Sequence, residues 1–175
     1  MSKIIGNAFV CVGLLWAASA AAALEYRAED PRTPHDHVYV SELSKNQIIS
    51  ADDLRKKQVA GEDFLLLDAR NKSAYDAAHI AGAKLSLPDD FFRQEQLFKL
   101  GIIPKAPDMA AALSQTMAAC PPGKSIVTYC NANCAASAVL LMRLQALGFT
   151  NVRAMEQGIQ VWEKKGYPVI KAAVN

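Results

Sequence analysis

Beyond residue 37 the apolar positions of the chain follow two periods in turn. "DFLLLDAR" at 63–70 and "SIVTYC" at 125–130 are unbroken apolar runs that end in polar or reactive residues, the pattern of strands covered on both faces. "VYVSEL" at 38–43, "GAKLSLP" at 82–88 and "NVRAM" at 151–155 read as shorter strands. Between them the spacing changes to three and four. "SADDLRKKQVAG" at 50–61 begins with a Ser cap and acidic first-turn residues and stops at Gly61, which predicts a helix. "SAYDAAH" at 73–79 predicts a short helical turn. "PDDFFRQEQLFKLG" at 88–101 and "PDMAAALSQTMAA" at 107–119 open with Pro and Asp and run at helical spacing. "AASAVLLMRLQALG" at 135–148 predicts a helix with small residues first and Gly148 past its end, and "EQGIQVWEKKG" at 156–166 predicts the last one. Strands that alternate with helices predict an α/β fold, a central parallel sheet with helices on both faces. In such sheets the reactive groups gather beyond the carboxyl ends of the strands.

The first residues break this rhythm. Lys3 precedes the uncharged apolar run "IIGNAFVCVGLLWAASA", and "AAALE" puts small residues at Ala21 and Ala23. This is the layout of a secretory signal peptide over residues 1–23, cleaved after Ala23; the alanine-rich end favours that over a membrane anchor. Residues 24–37, polar and proline-bearing, read as a mobile leader, and 38–175 as the folded domain. His35 and His37 form a His-x-His pair there, but a closed metal site needs further ligands, so a solvated leader is expected and no metal. The exported chain is expected in a periplasm, with no membrane association after cleavage.

Composition adds exclusions. The 175 residues suffice for one domain, with 51% hydrophobic and 21% charged positions, as in an ordinary globular protein. A net charge of +2 argues against nucleic acid or an anionic membrane surface as partner. Four cysteines are present, and loss of Cys11 with the signal peptide leaves Cys120, Cys130 and Cys134. In an oxidising compartment an odd count leaves at least one thiol free or paired with another molecule.

The chemistry concentrates in "TYCNANCAAS", residues 128–137. Cys130 ends a buried strand and a helix starts within a few residues. The backbone N–H groups of Asn131, Ala132, Asn133, Cys134 and Ala135 therefore lie near a helix N-terminus, where unpaired donors and the helix dipole favour a thiolate. They would also cradle a sulfur-borne anion such as a persulfide. Asp68 and Arg70 end a neighbouring strand and are expected to support the loop as an ion pair more than to bind substrate. His79 is expected to fix a turn through its backbone contacts, with general-base catalysis as the other reading. Trp162, at helical spacing with Ile159, belongs to the core, and Cys120 closes a helix before "PPG".

These segments together resemble the rhodanese-like domain, the sulfurtransferase module, over about residues 38–169. "LLLDAR" is similar to its Asp-x-Arg strand end, and "YDAAHIAGAKLSLP" to its His-Ile-x-Gly-Ala segment. "IVTYC" with its short loop is similar to the active-site strand, and "LGFTNVRAMEQGIQVWEKKGYPV" to the closing pattern of Gly, Trp and Gly-x-Pro-Val. The resemblance implies that Cys130 is a nucleophile carrying sulfane sulfur as a persulfide, with a small sulfur donor, a thiol acceptor and no cofactor. A periplasmic redox protein is a further partner it allows. The loop departs from the family: Asn133 and Ala135 stand where a glycine and an Arg or other polar group are usual. No Lys or Arg lies between Cys130 and Arg143, so an anionic donor such as thiosulfate lacks a cation in the loop. Ala136 stands where related phosphatases close a longer loop with Arg, which sets phosphoryl chemistry aside. Cys134 is the addition. The chain is similar here to an exported branch with a Cys-x-x-x-Cys loop, found with pyrroloquinoline-quinone-dependent alcohol oxidation, although Ala135 replaces that branch's Trp. Cys134 would act as a resolving thiol, attacking sulfur on Cys130 and leaving an internal disulfide. Two rivals stay open: a thiol–disulfide redox protein using Cys130 and Cys134, and a non-catalytic binding module in which they form a structural disulfide.

Overall fold

The computed structural model describes residues 39–87, 94 and 97–172. The expected signal peptide and leader lie outside the described residues, as does most of the helix expected over 88–101, of which 97–99 are helical. Among the described residues no helix is long and apolar enough to cross a membrane.

Among the described residues, seven strands and five α-helices form the fold. The strands are β1 (Ile48–Ile49), β2 (Phe64–Asp68), β3 (Ala78–Ile80), β4 (Lys84–Leu85), β5 (Ser125–Tyr129), β6 (Val152–Met155) and β7 (Val169–Lys171). The helices are α1 (Ala51–Val59), α2 (Lys72–Ala77), α3 (Met109–Met117), α4 (Ala136–Ala146) and α5 (Gly158–Lys164). Five strands make a parallel sheet in the order β1-β6-β5-β2-β4, and β3 and β7 pair antiparallel beside it. The expected α/β architecture is therefore present, with β5 at the centre.

Alternation along β5 divides the core into two layers, because successive side chains of a strand point to opposite faces. Ile126 and Cys130 join Leu113 and Met117 of α3 and Leu140, Leu141 and Leu144 of α4. Val127 and Tyr129 join Leu54 of α1 and Ile159 and Trp162 of α5 on the other face. Trp162 is fully buried and donates from Nε1 to Pro168 O at 3.0 Å, so its indole N–H is satisfied inside the core.

Helix starts follow the sequence signals. Ser50 Oγ accepts from Asp53 N at 3.0 Å, Asn71 Oδ1 from Ala74 N at 2.9 Å, and Asp108 Oδ1 from Ala111 N at 2.9 Å. One expected element is corrected. Residues 39–43 of "VYVSEL" form no strand; Val40–Glu42 is a 3-10 turn, followed by a second at Lys45–Gln47, and the first strand among the described residues is Ile48–Ile49. Val40 and Leu43 both pack on the core, and their spacing of three suits a 3-10 turn, whose side chains eclipse at that interval. β3 and β7 were also not anticipated.

Candidate active site

The site lies past the carboxyl end of β5. Cys130 is 1% exposed, and its Sγ lies 3.3 Å from Asn131 O, 3.3 Å from Cys134 O and 3.3 Å from Ser137 Oγ. The loop turns through Asn133 at φ 54°, a left-handed conformation that asparagine tolerates better than most residues. Thr128 Oγ1 donates to Ser137 O at 2.8 Å, which ties the active strand to the first turn of α4.

Helix α4 has Ala135 at its N-cap, with no side-chain cap bond. Its early N–H groups need other acceptors. One is a sulfur: Ala136 N donates to Cys134 Sγ at 3.4 Å. Cys134, one residue before the N-cap, thus supplies an acceptor that the Ala135 side chain cannot. The backbone donors expected around Cys130 are distributed otherwise. Ala136 N and Asn131 serve Cys134, Ala132 N donates to Gln160 Oε1 at 2.7 Å, and Ser137 serves Cys130 with its hydroxyl and backbone.

The two thiols divide accordingly. Hydrogen bonding to the Cys130 thiol, more than the backbone donors, lowers the Cys134 pKa to about 6. The same bond, together with burial, pushes Cys130 upward. The less buried Cys134 is thus the more easily ionised of the two thiols, and Cys130 the less easily. Burial raises the third thiol, Cys120, against the opposing pull of Lys124 and Lys84. All three are free thiols. Iodoacetamide is therefore expected to label Cys134 first, at a rate that climbs as pH rises through about 6, because only the thiolate reacts. Peptide mapping after brief labelling checks it; preferential labelling of Cys120 or Cys130 near neutrality would show the opposite order.

Helix α5 closes the loop from above. Gln160 Nε2 donates to Asn131 Oδ1 at 3.1 Å while its Oε1 takes the Ala132 N–H, and Ile159 N donates to Cys130 O at 2.8 Å. The approach is so close that a Cβ on Gly158, itself at φ +61°, would stand 2.6 Å from Asn131 O and closer still to Cys130 O.

Asp68 and Arg70 form a post beside the site. Asp68 is fully buried and pairs with Arg70, whose Nε lies 2.9 Å from Oδ1 and whose second contact is Nη2 to Oδ2 at 2.6 Å. Arg70 Nη2 also donates to Ala78 O at 2.6 Å. Tyr129 OH donates to Asp68 Oδ2 at 2.7 Å and accepts from Ile80 N at 3.2 Å. Burial and then the Asp68 charge hold the Tyr129 phenol well above its ordinary range, so it stays a donor. For Arg70, burial opposes the charge, and the bonds and charge of Asp68 outweigh it. The guanidinium lies over the Tyr129 ring, 5.7 Å from its centroid, on the α5 side of the sheet, whereas Cys130 faces α4. His79 stacks on Tyr75 at 4.0 Å between ring centroids, and its Nδ1 lies 2.8 Å from Tyr75 O.

Tyr129, Ser137, Gly158 and Gln160 were not singled out in the sequence. Ser137 had a signal, as the lone hydroxyl in an alanine-rich helix start. Gln160 had none, being 28 residues from its partner.

Comparison with known proteins agrees with this architecture. The model of the Rhodanese-like domain matches residues 50–165, and the chain belongs to that family. A crystal structure of a Bacillus halodurans protein superposes with TM-score 0.54 at 23% identity, covering 72% of this chain and 77% of its own. The rhodanese-like domain of an Anabaena protein gives 0.53 at 21% identity, covering 71% and 79%. A full-length Lactobacillus plantarum protein gives 0.51 at 19% identity, covering 71% and 88%. Identities this low establish the fold alone. A comparison with curated proteins finds none that matches.

Proposed function

We propose that this chain is an exported sulfurtransferase of rhodanese type that carries sulfane sulfur as a persulfide on Cys130 and passes it to an acceptor thiol. One observation carries the reading: Cys130 stands at the end of the central strand, with Ser137 Oγ 3.3 Å from its sulfur at the start of α4. The mechanism is covalent: a thiolate takes the sulfur, the donor's leaving group departs, and a second thiol then attacks the persulfide. The expected donor is a small persulfide or polysulfide. The expected acceptor is a small thiol or a thiol of a periplasmic redox protein.

Intact mass tests this. Reduced protein treated with glutathione persulfide and freed of donor is expected to gain one sulfur atom. Peptide mapping places that sulfur on Cys130, and glutathione removes it. Cys130→Ser is expected to lose the buried store of sulfur and to retain less of it than wild type once the donor is removed. No sulfur on either Cys130 or Cys134 would overturn the reading.

A second reading, thiol–disulfide redox chemistry, is favoured by the direct contact of the two cysteines, Cys130 Sγ to Cys134 O at 3.3 Å. It predicts a measurable two-electron potential and no stable sulfur gain.

A further inference from the structure

The two cysteines differ in access. Cys130 is 1% exposed, and the carbonyl groups of Asn131 and Cys134 both stand 3.3 Å from its sulfur. An approaching donor therefore meets a nearly inaccessible sulfur with two carbonyl oxygens against it. Cys134 keeps part of its surface in solvent, and its sulfur accepts the Ala136 N–H at 3.4 Å. Of the two it is the less buried residue, and a backbone donor is aimed at its sulfur. Its backbone carbonyl accepts from the Cys130 thiol at 3.3 Å, so the two residues are in direct contact.

We infer that Cys134 is the thiol that meets the sulfur donor, and that sulfur moves inward from Cys134 to Cys130. This rests on the sulfur-transfer reading above and reverses the order that the resemblance implies, in which Cys134 acts only afterwards. In the first step the Cys134 thiolate attacks the outer sulfur of a persulfide R–S–SH. A bond forms between Cys134 Sγ and that sulfur, the R–S–SH bond breaks, and the thiolate RS⁻ leaves with the electron pair. In the second step Cys130 attacks the same outer sulfur. Its proton passes to the departing Cys134 sulfur, leaving Cys130 as the persulfide and Cys134 as a thiol. Neither step changes the total oxidation state, so no external oxidant or reductant is required.

The substrate class follows from the surroundings. The loop has no Lys or Arg between Cys130 and Arg143, and Arg70 is engaged with Asp68 on the other face of the sheet. An attacking thiolate repels a doubly charged donor, and nothing in the loop offsets that repulsion. Organic persulfides and polysulfides, whose reacting end carries at most one charge, suit it better than thiosulfate.

Rapid quench followed by intact mass separates the two orders. Reduced wild type, Cys134→Ser, Cys134→Ala and Cys130→Ser are mixed with glutathione persulfide and stopped at increasing times, with folding confirmed by circular dichroism. The relay predicts that both Cys134 variants load Cys130 more slowly than wild type, by roughly tenfold or more, because a buried thiol lacks access. It also predicts that Cys130→Ser still gains one sulfur, mapped to Cys134. Wild-type loading of Cys130 in the Cys134 variants overturns the relay and leaves the sulfurtransferase reading standing. So does a Cys130→Ser protein that gains nothing while wild type loads. Absence of sulfur gain in wild type overturns both.

Discussion

Arg70→Ala is expected to lower the unfolding free energy by about 3–5 kcal/mol, the usual cost of leaving one member of a buried ion pair alone. That is a large share of the roughly 5–15 kcal/mol that holds a domain folded. The reason is Asp68. It has no exposed surface, and it receives two Arg70 nitrogens, the Arg70 N–H at 2.9 Å and the Tyr129 hydroxyl at 2.7 Å. Without the guanidinium, a carboxylate stays in the core with its charge uncompensated. Ala78 O also loses its donor. Arg70→Lys is expected to recover part of the loss, since an ammonium supplies charge but not the two-pronged geometry. The exposed Lys56–Asp53 pair is the control, and its removal is expected to cost far less, because solvent screens it. Urea unfolding measures all three; an Arg70→Ala effect as small as the control would show that the post does not hold the strand ends together.

Gly158→Val is expected to damage chemistry more than stability. Position 158 combines two constraints: φ is +61°, and a Cβ would collide with the backbone carbonyls of Cys130 and Asn131. A strained backbone conformation costs about 1–3 kcal/mol. The collision, however, falls on the loop that positions both sulfurs. A displacement of the order of 1 Å is expected to slow sulfur loading roughly a hundredfold. Gly61→Val separates the two effects, because Gly61 also has positive φ, at +66°, but nothing within 4 Å of its Cβ site. It is expected to lose stability and keep its loading rate. Equal loading by both variants would show that the α5 approach does not set the loop geometry.

Much of this was legible from local pattern. β2 and β5 announce themselves because both faces are covered, which leaves an unbroken apolar run with a reactive or charged residue at its end. The helix starts at Ser50, Asn71 and Asp108 rest on the next few residues alone. What escaped was nonlocal. β3 pairs with β7 across about ninety residues, in a register of Ala78 with Lys171, and neither three-residue strand has a period to read. The segment at 38–43 has strand composition, but its partner is the core beneath α4, not a sheet edge. The cysteine spacing identified the site, yet the division of labour between the thiols depends on which carbonyls turn toward Cys130. That is set by the left-handed turn at Asn133 and by Gln160 on another helix.

The clamp on the cysteine loop has a consequence for the order in which the molecule is made. Cys130 and Cys134 leave the ribosome, and cross any membrane, well before Gly158, Ile159 and Gln160, which complete their surroundings. β1 must likewise wait for β6 before it has a neighbour. During that interval the two thiols sit in an unfinished turn, without the carbonyl cover that distinguishes them once folded. Docking of the last helix completes the different surroundings of the two thiols, so their division of labour belongs to the finished fold and not to the loop alone.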